Sequence, residues 1–156
     1  KIRINCTLVG FIDNNRKNSI TVQEIRNWEK EGLVSYFGKT DDIKYFLEDI
    51  DCVVLPSYYN EGVPRILLEA SAMELPVITT DHPGCRDAVE DGVSGFLCKK
   101  KHPKDLAATM KNFINMNDLG KKTMGRAARE KMKKEFDENI IIKQYIKTIN
   151  SISFKE

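Results

Sequence analysis

Two rhythms of apolar and polar positions alternate along this chain. Short apolar or period-two runs fall at residues 3–9, 34–37, 52–55, 77–80 and 95–98, the pattern of β-strands. Between them, at about 21–30, 43–48, 64–73 and 86–90, apolar residues return at helical spacing. Strands alternating with helices predict βαβ crossovers, hence a mostly parallel sheet covered on both faces. The continuous apolar run Cys52-Val53-Val54-Leu55 fits, because a buried parallel strand needs no polar face.

After Cys98 the strand rhythm stops. Residues 104–116 carry Leu106, Met110, Phe113 and Ile114 on one helical face, Asp118 then reads as an N-cap for a helix towards Phe136, and 138–152 carry Ile142, Tyr145, Ile146, Ile149 and Ile152 as a stripe. The stripe reads as core. The expectation is one α/β domain over residues 1–156: a Rossmann-like, doubly wound, mostly parallel sheet with C-terminal helices. Ligands of such sheets bind beyond the carboxyl ends of the strands. The turns to inspect are therefore 10–15, 38–42, 56–64 and 81–86.

Composition narrows the partners. The 156 residues hold 25 Lys+Arg against 23 Asp+Glu, a net +2, which gives no bulk electrostatic case for nucleic acid. At 41% hydrophobic and 31% charged the chain reads as an ordinary globular protein, expected in the cytoplasm, and no apolar run approaches a membrane span. Cys6, Cys52, Cys85 and Cys98 are scattered without a C-x-x-C, so a reduced protein is expected rather than a disulfide scaffold or metal site. The chain opens on Lys1 inside a strand-like run, and a piece of a longer protein is expected.

The turn after the third strand is the richest in chemistry. It runs Leu55-Pro56-Ser57-Tyr58-Tyr59-Asn60-Glu61-Gly62-Val63-Pro64-Arg65-Ile66-Leu67-Leu68-Glu69-Ala70. Gly62 suits an unusual turn or close ligand approach, and Pro64 suits the first helical position. The N–H groups of Arg65, Ile66 and Leu67 would then face the crevice with the positive end of the helix dipole, an anion site made of backbone. Glu61 and Glu69 would lie roughly 7–8 Å apart along the axis. Two carboxylates around phosphate-binding amides match a ligand with hydroxyls at both ends and phosphates between, the layout of a nucleotide sugar. The plain alternative is a pair of exposed acids complementing a helix dipole.

In this order the residues resemble retaining GT-B glycosyltransferases of family 4, the glycosyl transferases group 1. The resemblance extends through Leu75-Pro76-Val77-Ile78-Thr79-Thr80, Gly84, Asp87 and Asp91-Gly92-Val93-Ser94-Gly95-Phe96-Leu97, and upstream through Val34 to Gly38 and Asp51 to Ser57. It implies that this is the donor-binding lobe, with Glu61, Gly62, Val63 and Pro64 at the donor sugar and Arg65, Ile66, Leu67 and Gly10 at the diphosphate. Glu69 would take the ribose hydroxyls, while Gly38, Lys39 and Thr40 flank the base. Glu61 would be the catalytic residue, positioning the sugar and stabilising charge rather than attacking it. No cofactor and no metal are implied. The implied partners are a nucleotide diphospho-sugar, by its lean a uridine-diphosphate sugar, and a glycan or lipid-linked acceptor held by an N-terminal domain. The family's strand–helix unit with a diphosphate-neutralising Arg and Lys is not matched, nor is the acceptor domain, so the chain alone is expected to be inactive. The implied setting is surface polysaccharide assembly in a bacterium, at the inner face of the plasma membrane.

Other features have plainer readings. His82 reads as an ordinary loop residue, Cys85 as unreactive, and Lys99-Lys100-Lys101 as a solvated turn. The basic helix with Lys121, Lys122, Arg126, Arg129, Lys131, Lys133 and Lys134 reads as a solvated face, or as a surface attracted to anionic lipid. A non-catalytic, receiver-like domain is the competing function; it is disfavoured because the third strand ends Leu55-Pro56-Ser57, without an acceptor Asp. A dinucleotide dehydrogenase half is disfavoured because Gly10 has no G-x-G-x-x-G around it.

Overall fold

The computed structural model describes residues 4–13 and 19–153. They form five strands and six α-helices in the expected alternation, in two compact units, Lys1–Phe46 and Leu47–Glu156.

In the first unit β1 (Thr7–Val9) and β2 (Ser35–Gly38) pair in parallel, with Thr7 opposite Ser35 and a bulge between Leu8 and Val9. The strand expected from residue 3 is shorter, and residues 1–3 lie outside those described. The crossover is α1 (Val22–Lys30), which begins one residue after the expected start because Thr21 is its cap. The Thr21 hydroxyl accepts from the Glu24 N–H at 3.2 Å, and the Glu24 carboxylate accepts from the Thr21 N–H at 2.8 Å. This reciprocal box satisfies donors that a helix start otherwise leaves open. A single turn, α2 (Lys44–Leu47), covers the boundary in sequence.

In the second unit β3 (Val53–Leu55), β4 (Val77–Thr80) and β5 (Gly95–Cys98) form a parallel sheet in that order. The central strand β4 is buried at all four residues, as its position predicts. The crossover from β3 to β4 is α3 (Arg65–Ala72). Residues 86–90, expected as a helix, hold only a 3-10 turn at Arg86–Ala88, which Val89 ends in extended backbone. Three helices follow: α4 (Pro103–Ile114), α5 (Asp118–Glu135) and α6 (Glu138–Ser153). The caps of α4 and α5 are His102 and Asn117, so Asp118 is the first helical residue rather than the cap.

The core gathers Ile78 from β4, Phe113 from α4 and Met124 from α5, with Val54, Phe96, Leu106 and Met110 against them. Helix α5 also lies close against the end of α3, where a Cβ on Gly125 would collide with the Glu74 carbonyl oxygen. There Arg129 donates to the Ala72 carbonyl at 2.6 Å, a cation on the open C-terminus of α3. The stripe on α6 is not core: Ile141, Ile142, Tyr145, Ile146, Ile149 and Ile152 are all exposed. No described helix is long and apolar enough to cross a membrane.

Candidate donor site

Strand β3 delivers the chain to residues 56–64, and the end of β4 holds those residues in place. The Thr79 hydroxyl donates to the Leu55 carbonyl at 2.7 Å, and the Thr80 hydroxyl donates to the Ser57 carbonyl. Both threonines are buried, so their hydroxyls need partners, and the chain leaving β3 supplies two carbonyls. Ser57, fixed through its carbonyl, donates its own hydroxyl to Glu61 Oε1 at 2.8 Å. The exposed Glu61 carboxylate is thus oriented through a chain of hydrogen bonds that begins in the sheet.

A second element presses on the same turn. Gly84 is buried with φ +83°, and a Cβ there would lie 2.5 Å from the Gly62 carbonyl oxygen and 2.6 Å from that of Glu61. Only glycine meets both demands, a left-handed backbone and contact with bare carbonyls. The unusual backbone expected at Gly62 is therefore at Gly84. Gly62 itself is not left-handed, and the space its Cβ would enter is open. His82 is buried rather than an open loop residue; its Nδ1 lies 3.1 Å from the Pro83 carbonyl, and its own carbonyl accepts from the Arg86 N–H at 2.9 Å.

Helix α3 starts one residue later than its sequence predicts. Pro64, at φ −63° and ψ 126°, is the extended N-cap and makes no side-chain cap. The Leu67 N–H donates to the Pro64 carbonyl at 3.0 Å, and the Leu67 side chain is fully buried. Leu67 is therefore removed from the amides expected to face an anion. Arg65 and Ile66 remain, ahead of the first helical hydrogen bond. Glu69, one turn further on, is half-buried and pairs with the exposed Arg65 guanidinium at 3.3 Å. Such an exposed pair contributes at most about 1 kcal/mol, so a ligand can displace it.

Gly10, Gly38, Lys39 and Thr40 belong to the first unit. The Gly10 N–H donates to the Gly38 carbonyl at 2.8 Å, and the Tyr36 hydroxyl donates to the Gly10 carbonyl at 2.8 Å, so the ends of β1 and β2 are tied together. Lys39 pairs with Asp41 at 3.3 Å, and the Thr40 hydroxyl accepts from the Asp42 N–H at 3.1 Å.

The sequence reading assigned no role to Ser57, Thr79, Thr80 or Gly84. The threonines had a signal, two hydroxyl-bearing residues closing an apolar strand; Ser57 had none. Among the cysteines, burial and the neighbouring Asp51 push the Cys52 thiol up to about 12, and burial raises Cys98 as well. Among the described residues no cluster of His, Cys, Asp or Glu could hold a metal ion.

Residues 1–134 match the family model described as glycosyl transferases group 1. The chain belongs to this family. It is 33% identical over 152 residues to the N,N'-diacetylbacillosaminyl-diphospho-undecaprenol alpha-1,3-N-acetylgalactosaminyltransferase of Campylobacter jejuni, a match covering 97% of this chain and 38% of that protein. It is 30% identical over 154 residues to the amylovoran biosynthesis glycosyltransferase AmsK of Erwinia amylovora, covering 94% of this chain and 37% of that protein. Among solved structures, Anabaena Alr3699/HepE in complex with UDP superposes with a TM-score of 0.82 at 26% identity, over 95% of this chain and 41% of that one. The chain thus spans less than half the length of these group 1 relatives. Its fold, parallel α/β with C-terminal helices, is that of one lobe of a GT-B glycosyltransferase.

Proposed function

We propose that this chain is the donor-binding lobe of a retaining glycosyltransferase that transfers a hexose or N-acetylhexosamine from a uridine-diphosphate sugar to a glycan or lipid-linked acceptor. The observation that carries the reading is the placing of two carboxylates, Glu61 and Glu69, on either side of the uncapped start of α3. Glu61, held by Ser57, accepts hydrogen bonds from hydroxyls of the donor sugar. The N–H groups of Arg65 and Ile66 meet the diphosphate, where the dipole of α3 favours negative charge. Glu69 releases Arg65 and takes the ribose hydroxyls, which frees the guanidinium to swing towards the phosphates. Charge that develops on the leaving diphosphate is stabilised by the Arg65 and Ile66 N–H groups, which the start of α3 already holds in place.

In this reading the acceptor hydroxyl attacks from the face the diphosphate leaves, which retains the anomeric configuration, and Glu61 orients the sugar without bonding to it. No metal step is invoked. The relatives named for polysaccharide and lipid-diphosphate substrates support a role in surface glycan assembly, on the cytoplasmic side of the membrane. The structures of Alr3699/HepE with UDP and with UDP-glucose support a uridine nucleotide.

Calorimetric titration of the chain with UDP, GDP and their diphospho-sugars tests the reading. Uridine nucleotides are expected to bind and guanosine nucleotides to bind more weakly. A folded chain that takes up none of them would overturn it.

A further inference from the structure

The donor turn has a third anchor, to which the donor reading gives no task. Residues 56–63 lie in no strand or helix, so contacts from neighbouring segments place them. Thr80 holds the Ser57 carbonyl, and Gly84 packs on the carbonyls of Glu61 and Gly62. Between those points Tyr58 and Tyr59 stack, their ring centres 4.6 Å apart and their planes 26° from parallel. The Lys101 ammonium lies 4.6 Å from the centre of the Tyr58 ring. Tyr59 and Lys101 cannot share one face of that ring, so Tyr58 is held between them.

Lys101 comes from the turn between β5 and α4, and that turn is clamped. Asp105 Oδ2 accepts from the Lys99 N–H at 2.7 Å, and His102 Nδ1 accepts from the Asp105 N–H at 3.1 Å. The turn holds Lys101 at φ +54°, a left-handed conformation that suits Gly or Asn better than a long side chain. Strain of this kind persists only where the surroundings fix it, and it points to a task for the side chain. That task is not an ion pair, since Lys101 forms none with a carboxylate among the described residues. Its ammonium instead meets an aromatic ring, whose face attracts a cation.

We propose that Lys101 is a positioning residue for the donor turn: through the Tyr58–Tyr59 stack it fixes the arc that carries Glu61, and so sets where that carboxylate meets the donor sugar. The effect on the sugar rests on the donor reading of Glu61; the coupling of Lys101 to the turn does not. Ser57, next to Tyr58, donates to Glu61 Oε1 at 2.8 Å, so a Tyr58 ring that swings away disturbs the serine that orients the carboxylate. The nucleoside side is spared, because Glu69 stands on α3.

The test compares two variants of the 1–156 chain with the parent. Lys101→Asn removes the ammonium and relieves the left-handed backbone, whereas Lys101→Arg keeps a cation over the ring. Lys101→Asn is expected to melt at or above the parent's temperature. In calorimetry it should nevertheless bind UDP-glucose about fourfold more weakly, the size of an exposed cation–π contact, with UDP affinity unchanged. Lys101→Arg is expected to bind both ligands like the parent. In nitrogen-15 NMR spectra Lys101→Asn should shift the amides of Glu61 and Gly62. An Asn variant that binds UDP-glucose like the parent, or loses affinity only in step with melting temperature, would overturn the proposal. So would an Arg variant as weak as the Asn variant, an equal loss for UDP and UDP-glucose, or unmoved Glu61 and Gly62 amides. A parent chain that binds neither ligand would overturn the donor reading, and the amide shifts would then decide whether Lys101 fixes the turn.

Discussion

Replacing Gly84 by Ala tests whether the donor turn is shaped by the segment packed on it. A Cβ at position 84 would sit 2.5 Å from the Gly62 carbonyl oxygen, and ordinary contact begins at 3.4 Å, so something must move by about 0.9 Å. The obstacle is main chain on both counts, and no flexible side chain can yield. The backbone adds its own cost, since a residue with a side chain at φ +83° loses about 1–2 kcal/mol relative to glycine. Together these predict a loss of about 2–3 kcal/mol. For a chain of this size that is a fall in melting temperature of about 5–10 °C. If the strain is relieved by displacing Glu61, affinity for a UDP-sugar should fall by up to about a hundredfold, because misplacement near 1 Å can cost that much. The control is Gly62→Ala, whose Cβ enters open space; it should melt like the parent while still obstructing the donor sugar. Thermal unfolding and calorimetry on the two variants decide the matter. Equal melting temperatures for Gly84→Ala and the parent would refute the packing argument.

Other variants probe other links. Ser57→Ala removes the hydroxyl that donates to Glu61 and should weaken UDP-sugar binding about tenfold, as a lost hydrogen bond to a charged group implies, with UDP binding unchanged in the same calorimeter. Ser71→Ala deletes a buried hydroxyl that has no partner, and should leave stability equal or raise it by about 1 kcal/mol, read as melting temperature. Cys52, its thiol pushed up to about 12, should resist a thiol reagent at pH 8 in the native state and react once urea unfolds the chain. Because its proton is held more tightly folded than unfolded, its contribution to stability is complete below the ordinary thiol range and declines as pH rises towards 12. Turnover by a full-length enzyme containing this chain should persist in excess EDTA, measured by release of UDP.

Much of this was legible in the chain because periodicity and position carry it. The strand Val77–Thr80 was readable to the residue, since Pro76 marks its start and all four residues are β-branched, the type that favours strands. Glu61 and Glu69 were readable as a pair because Gly62 and Pro64 mark a turn into a helix between them. The helix start was misplaced by one residue, since Pro fits the cap and the first position almost equally and only ψ separates them. The Leu67 N–H, which an α-helix starting at Arg65 would leave open, is taken by a short bond to the Pro64 carbonyl that no sequence pattern shows. Ser57 could not have been found, because a serine in a loop has no pattern of its own; what gives it work is Thr80, 23 residues away. The stripe on α6 misled for a related reason. Amphipathic spacing says that a face seeks cover, and sequence alone does not say where that cover lies.

The central claim is that Glu61 meets the sugar and Glu69 the nucleoside of one donor molecule. Titrating UDP and UDP-glucose into the Glu61→Gln and Glu69→Gln variants of the 1–156 chain tests it most directly. The account predicts that Glu69→Gln weakens both ligands about tenfold, near 1.4 kcal/mol, and that Glu61→Gln weakens UDP-glucose alone. Losses that fall equally on UDP and UDP-glucose in both variants, or on neither ligand, would contradict it.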